Sequence, residues 1–425
     1  MKRMCLIILA SIALSVFAFG QSWAGSVDKL IDKLVEKKIL TRSEATELIN
    51  QMQAEEEKEK KEVAVVVKEA PKTFEIPKWV ENTKVKGDIR VRYETQDTNG
   101  DTNPNRNRER VRLRLGVETK INEQWVTGVG FASGDDKNPR SVDQTFTDNS
   151  DSKDIWLDYV YAQYTPVAWV SIIAGKFKNP IWKTEQLMWD SDINPEGIAA
   201  NIKFEPVKNV ELFANIAGFS LDEFSTKAND PYLIAFQPGV NLKLPGGMYL
   251  KVAGTYYDFN YVDGNNWTAS YGSGLTKNSN TQDAANNWIY DYDSFAGDIE
   301  FGMTKIPGPI SYAAVFGQYV HAIDVNDNND GWLAGLKFGD KDIKDLGDWQ
   351  LSYNYRRLER DAWPDFLPCS TAYNGYTNIK GHNAYAGFGI YKNVYLSLTY
   401  WDFRHIERTK DDRQDVLQAD LNVQF

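Results

Sequence analysis

Val85-Lys86-Gly87-Asp88-Ile89-Arg90-Val91-Arg92-Tyr93-Glu94 alternates without a break: odd positions are apolar or Gly, even positions are charged. Arg110 to Glu118 repeats the pattern, with Val111, Leu113, Leu115 and Val117 on one face and Arg110, Arg112 and Arg114 on the other. A period of two belongs to an extended strand with two chemically different faces. Soluble sandwiches also alternate, but their strands usually run about 5–6 residues. Segments of about ten residues with one apolar face suit a tilted strand crossing a bilayer. Lipid offers no partner to a backbone N–H or C=O, so such strands must close into a barrel.

About sixteen segments of this kind run along the chain, with fourteen to eighteen as the bounds. After the first two they begin near Gln124, Lys153, Ala168, Gly197, Val210, Pro231, Gly247, Ser294, Ile310, Gly331, Gly347, Gly381, Val394 and Asp415. Those near Gly197 and Pro231 are the weakest. Short links such as Ile121-Asn122-Glu123, Pro245-Gly246 and Tyr391-Lys392-Asn393 alternate with long ones at 134–152, 178–196, 260–293 and 359–380. Outer-membrane barrels sort their connections this way, with short periplasmic turns and long external loops. The expected fold is therefore all-β, a transmembrane antiparallel barrel over residues 84–425.

Composition agrees. With 25 % charged residues, the chain is not a bundle of apolar membrane helices. With 42 % hydrophobic residues, 13 Trp, 22 Tyr and 20 Phe, it is not disordered either. A net charge of −11 argues against a nucleic-acid partner. Lys2 and Arg3, the apolar run Leu6 to Phe19, and Ser22-Trp23-Ala24 have the three parts of a secretory signal, cleaved after Ala24. Cleavage removes two positive charges, takes the net charge to −13 and leaves Cys369 as the single cysteine. Residues 25–70 change period: Val27, Leu30, Ile31 and Leu34, then Ala45, Leu48, Ile49 and Met52, recur at helical spacing. Thr41-Arg42-Ser43-Glu44 is a capping box. This segment reads as a periplasmic helical, coiled-coil-like spacer or pairing element, followed by a linker at 71–83.

Tyr161, Tyr164 and Trp169 surround one short turn, Tyr391 and Tyr395 another, and Trp125 follows a third. Such recurrence fits the aromatic girdles of outer-membrane barrels. The last nine residues, Leu417 to Phe425, alternate to a terminal Phe, which resembles the strand that barrel-assembly machinery reads. Three further stretches are motif-like: Asp154-Ile155-Trp156-Leu157-Asp158-Tyr159-Val160-Tyr161, Ala174-Gly175-Lys176-Phe177-Lys178-Asn179-Pro180, and Trp189-Asp190-Ser191-Asp192-Ile193-Asn194-Pro195-Glu196-Gly197. Together with a helical N-terminus before a barrel, they resemble a family of outer-membrane porins of Gram-negative bacteria. The resemblance implies a water-filled barrel for passive diffusion of small hydrophilic solutes and ions, a homotrimer, outer-membrane lipid as surroundings, and no cofactor.

Strand order makes 178–196 the third external loop, which in general porins folds inward as a constriction. It carries Glu185, Asp190, Asp192 and Glu196, with Trp182 and Trp189 able to pin it to the wall. Arg90, Arg92, Arg110, Arg112 and Arg114, on the polar face of the first two strands, would oppose it. Facing rows of opposite charge orient dipolar solutes and filter ions. The simpler alternative pairs these arginines with lumen carboxylates such as Asp88 and Glu118. The charge of −13 leans to cations and the arginine rows to anions, with the balance taken towards cations.

No enzyme is expected. His321, His382 and His405 show no metal-ligand spacing. Asn326 to Gly331 imitates the start of a calcium loop but has Lys337 at its twelfth position, where Glu is needed. A substrate-selective (anion or oxyanion) channel and a structural or adhesive barrel remain as rivals.

Overall fold

The computed structural model describes residues 78–99, 105–135, 138–267, 276–304, 306, 308, 310–407 and 412–425, with Lys37, Thr41 and Ser43. The expectations for the signal segment, the helices of 25–70 and the start of the linker lie outside these residues. The linker region holds one turn of helix, α1 (Lys78–Glu81), and the first strand starts at Thr83.

Seventeen strands follow among the described residues. They are β1 (Thr83–Thr98), β2 (Arg106–Lys120), β3 (Trp125–Ser133), β4 (Gln144–Thr145), β5 (Ile155–Val167), β6 (Val170–Lys176), β7 (Glu196–Val207) and β8 (Val210–Ser220). Then come β9 (Tyr232–Lys243), β10 (Met248–Asn260), β11 (Ser294–Thr304), β12 (Tyr312–Ala322), β13 (Asp330–Gly339), β14 (Trp349–Leu358), β15 (Ile379–Tyr391), β16 (Val394–His405) and β17 (Arg413–Gln424). The two-residue β4 lies inside a loop; the other sixteen form the wall. Each wall strand pairs antiparallel with the next, and β1 pairs with β17 over Asp88–Thr98 to close the barrel. Closure leaves no edge, as a membrane span requires.

The alternation read from the sequence sets the two faces. Ile89, Val91 and Tyr93 of β1 and Leu115 of β2 are exposed outwards, whereas Arg92 and Glu94 are buried inside. Trp125 stacks on Tyr164 at a centroid distance of 4.7 Å beside a short turn, and Trp169 and Tyr391 are exposed at the same end. Tyr161 and Tyr395 do not join this outer belt. Parity turns both inwards: Tyr161 donates to Glu118 at 3.1 Å with its ring over Gly128, and Tyr395 lines the lumen.

The connections alternate in length, and eight lie at the long-loop end: 99–105, 134–154, 177–195, 221–231, 261–293, 323–329, 359–378 and 406–412. The third is framed by Gly175 and Gly197, which are register partners with φ of 121° and 150°. A Cβ on Gly197 would collide with the Gly218 carbonyl, and one on Gly175 with the Val160 carbonyl. Only glycine accepts that backbone at low cost. Gly197→Ala is expected to cost about 1–3 kcal/mol and to lower the yield of folded barrel, read by heat-modifiable gel migration. An unchanged yield and unfolding midpoint would refute the requirement for glycine at this position.

Candidate functional site

The lumen is divided unequally. Over β8 to β14 the long loops pack an aromatic core inside the barrel. Trp189 of the third loop meets Phe219 edge-on at 6.0 Å and Trp363 of the seventh at 6.2 Å, while Trp288 stacks on Phe366 at 5.6 Å. Over β15, β16, β17, β1 and β2 the interior keeps an open, mainly polar space, with Ile379, Trp401, Phe403 and Val416 joining the core at its edge. A cavity of about 780 Å³ runs from Gln96 and Arg106 at the loop end to Gln350, Tyr395 and Asn422 at the turn end.

Inward-facing wall residues hold the third loop. Gln237 of β9 donates Nε2 to the Trp182 carbonyl and accepts the Trp182 N–H, both at 2.8 Å. Asp298 of β11 accepts the Thr184 N–H at 2.8 Å, and Gln318 of β12 accepts the Leu187 N–H at 3.2 Å. Arg356 of β14 donates to the Gln186 carbonyl at 2.9 Å. The strand period explains the array: every second residue of each strand reaches the same interior space.

Of the loop acids, Glu185 pairs with Lys337 of β13 at 3.4 Å. Asp190 is buried and accepts the N–H groups of Ser370 (2.7 Å) and Asp192 (2.9 Å). Asp192 pairs with Arg114 and accepts the Val142 N–H at 3.3 Å. Glu196 does not join them. It is the first residue of β7, shares the outward parity of exposed Ile198, and pairs with Lys176 at 2.9 Å.

The arginines carry their own counter-charges. Arg92 lies opposite Asp420 across the closing seam and holds both its oxygens, at 2.7 and 2.8 Å. Arg90 pairs with Asp143, Arg112 with Asp88 (Nε to Oδ1, 2.8 Å), and Arg108 and Arg110 share Glu94. Five guanidiniums thus share four carboxylates, Asp88, Glu94, Asp143 and Asp420, which leaves the wall basic. Among the described residues the partners of Glu118 are Tyr161 and Lys86 rather than an arginine.

A second cavity, of about 680 Å³, opens towards the turn end between Lys86, Asp88, Glu118, Asp158, Gln163 and Lys178. Its lining and that of the first cavity have three residues in common: Asp190, Ser191 and Asp192. The third loop stands between the two spaces at the point where Arg114 reaches Asp192.

A family model described as "Putative porin" matches residues 97–291 and 280–425, well over half of the chain. The chain belongs to this porin family. One solved structure, OprB, shares its fold. Against OprB of Pseudomonas putida it has 11 % identity and a TM-score of 0.51, covering 81 % of this chain and 95 % of that one. Against OmpF of Salmonella typhi the identity is 12 % and the TM-score 0.46, covering 81 % and 97 %. A search of curated proteins returns no match. The family places this porin in the outer membrane.

The sequence reading missed several of the porin's lumen groups, because their partners are distant in the chain. Asp143, from the second loop, sits among Arg90, Arg92 and Arg110. Burial alone would raise its pKa, but the three guanidiniums prevail and hold it at about 2. Arg140 of the same loop donates to the carbonyls of Asp365 (2.7 Å) and Gly375 (3.1 Å) in the seventh. In the third loop, burial and then the Asp192 charge raise the pKa of Asp190. Burial also lowers Lys183 to about 8, despite nearby Asp190 and Glu185.

Proposed function

We propose that this porin is a passive diffusion channel for small hydrophilic solutes and ions, narrowed where the third external loop crosses the lumen. The observation that carries this reading is the meeting of two lumen cavities at Asp190-Ser191-Asp192. Glu185, Asp190 and Asp192 form the loop side of the constriction, and Arg90, Arg92, Arg110, Arg112 and Arg114 the basic wall. Opposed charge across a narrow pore gives a transverse field that orients dipolar solutes. Transport needs no cofactor and no chemistry. In this reading three copies assemble as a homotrimer, and the strand ending in Phe425 is the one presented to the assembly machinery.

Anion preference is the second reading. It is favoured by the excess of guanidinium on the wall and by the pairing of Glu185 and Asp192 with Lys337 and Arg114. Arg112→Gln with Arg114→Gln removes two wall charges and frees Asp88 and Asp192. The reversal potential in a salt gradient is expected to move towards cations, with the permeability ratio changing roughly twofold or more. An unmoved potential in folded protein would remove these arginines from the constriction.

A further inference from the structure

Four cations stand in one row across four adjacent strands of the outer wall. Arg357 of β14 is the register partner of Lys380 of β15, Lys380 of Arg404 of β16, and Arg404 of Arg413 of β17. Each shares the outward parity of exposed apolar residues on its own strand, such as Tyr353, Phe388, Tyr400 and Leu417. Like charges directly opposite one another in a sheet are destabilising. The two ends of the row are neutralised: Glu359 holds Arg357 at 2.8 Å, and Asp402 and Asp415 hold Arg413 at 2.8 and 3.0 Å. The middle is not. Among the described residues the side chains of Lys380 and Arg404 have no ion pair and no hydrogen bond, although their strands set them side by side. Adjacent strands are about 4.8 Å apart, so one tetrahedral anion can bridge the two side chains.

The height of the row says which anion. Lys380 and Arg404 lie at the long-loop end, four residues beyond Tyr400 on β16 and the matching level of Tyr353 on β14. Four residues span about 13 Å of strand, or about 10 Å of height at the usual tilt. Exposed Trp332 of β13 is the register partner of Arg357 and sets the aromatic girdle level with the row, so the row stands where the hydrocarbon of the outer leaflet meets its headgroups. Below it the outer wall is apolar, with Leu398 and Leu396 on β16 and Leu417 and Leu421 on β17 exposed. A ligand that meets both features has a phosphate at one end and acyl chains at the other.

We infer that Lys380 and Arg404 form a subsite for the phosphate of an outer-leaflet lipid headgroup, flanked by Arg357 and Arg413. The subsite rests on the outer-membrane placement with the long loops outside, and is independent of conduction through the lumen. It compensates a repulsion that the chain itself leaves unbalanced, and it fixes one side of the barrel to particular lipids.

The test uses the full mature protein in detergent, with diphosphorylated lipid A as the probe and native mass spectrometry as the readout. Its dephosphorylated form and inorganic phosphate serve as separate arms. Lipid A is expected to bind, and K380A/R404A to bind about 25-fold more weakly, at about fivefold for each cation lost beside an anionic surface. The conservative exchange K380R/R404K and the turn-end control K341A/K344A should retain binding. Lys341, Lys344 and Arg404 are exposed and Lys380 is half-exposed, and K380Q alone serves if the double variant folds poorly. Equal binding by K380A/R404A would overturn the subsite, as would equal binding of the dephosphorylated lipid. Inorganic phosphate binding as tightly as lipid A would show a free-anion site and overturn the lipid assignment. Loss of assembly with lipid binding unchanged would mark the row as a protein contact and overturn it too.

Discussion

Replacing Asp361 and Asp365 together by Asn is expected to raise the single-channel conductance severalfold and to make the open level noisy. Asp365 is fully buried in the seventh external loop and accepts from the fifth: Thr276 Oγ1 at 2.6 Å, the Ser279 N–H at 2.8 Å, Ser279 Oγ at 3.0 Å and the Lys277 N–H at 3.1 Å. Asp361 accepts the Thr281 N–H at 2.8 Å and the Tyr292 hydroxyl at 3.2 Å. These carboxylates join 261–293 to 359–378, and the joined loops keep Trp267, Trp288, Trp363 and Phe366 inside the barrel. An amide in either place points N–H at N–H. Each donor left unmet in a buried site costs about 1–3 kcal/mol, enough to release one loop from the other. The hydrogen-bond ladders of the wall are untouched, so the barrel itself persists. Planar-bilayer recording checks the result. Unchanged conductance in folded protein would show that the loops do not occlude the lumen.

Arg92→Ala is expected to destabilise the folded barrel by about 3–5 kcal/mol, the range for removing one partner of a buried charge network. Arg92 is 7 % exposed and stands among Asp420, Asp143 and Glu94, all of which would lose a guanidinium. The site is also where the first and last strands meet, so the loss falls on closure. Removing the opposing carboxylate as well, in Arg92→Ala with Asp420→Ala, should recover part of the loss. Unfolding midpoints in denaturant, followed by heat-modifiable migration, measure both variants. Equal stability of Arg92→Ala and the unaltered protein would contradict the role given to this network.

The wall was legible because a period of two is a local property. Arg110 to Glu118 shows both faces without any knowledge of its neighbours; β2 itself begins four residues earlier, at Arg106, and every other strand start falls within about two residues of the place its pattern predicts. The weak segments near Gly197 and Pro231 prove to be β7 and β9. Their signal is blurred by Gly197, at the end of the third loop, and by Gln237-Pro238, where the β9 ladder with β10 is interrupted.

The charged lining was legible only on the strand side. Parity puts Arg90 to Arg114 inside, but the choice of partner is a long-range matter: Asp420 is 328 residues from Arg92, and Asp143 arrives on a loop. The same limit explains Tyr161 and Tyr395. Closeness to a turn suggests a girdle, yet side-chain parity decides the face. Glu196 belongs to the loop motif by sequence, but the strand begins with it and turns it outwards. The aromatic packing of the fifth and seventh loops left no local sign, since aromatic residues in a loop carry no period.

Single-channel recording of the purified, folded mature protein in a planar bilayer, with the reversal potential under a salt gradient, tests the central claim most directly. Discrete open steps, grouped in threes for a trimer, are predicted. The sign of the potential should follow the balance between the arginine wall and the acids of the third loop. Silence from protein shown to be folded and inserted would contradict the diffusion channel and leave a structural barrel in its place.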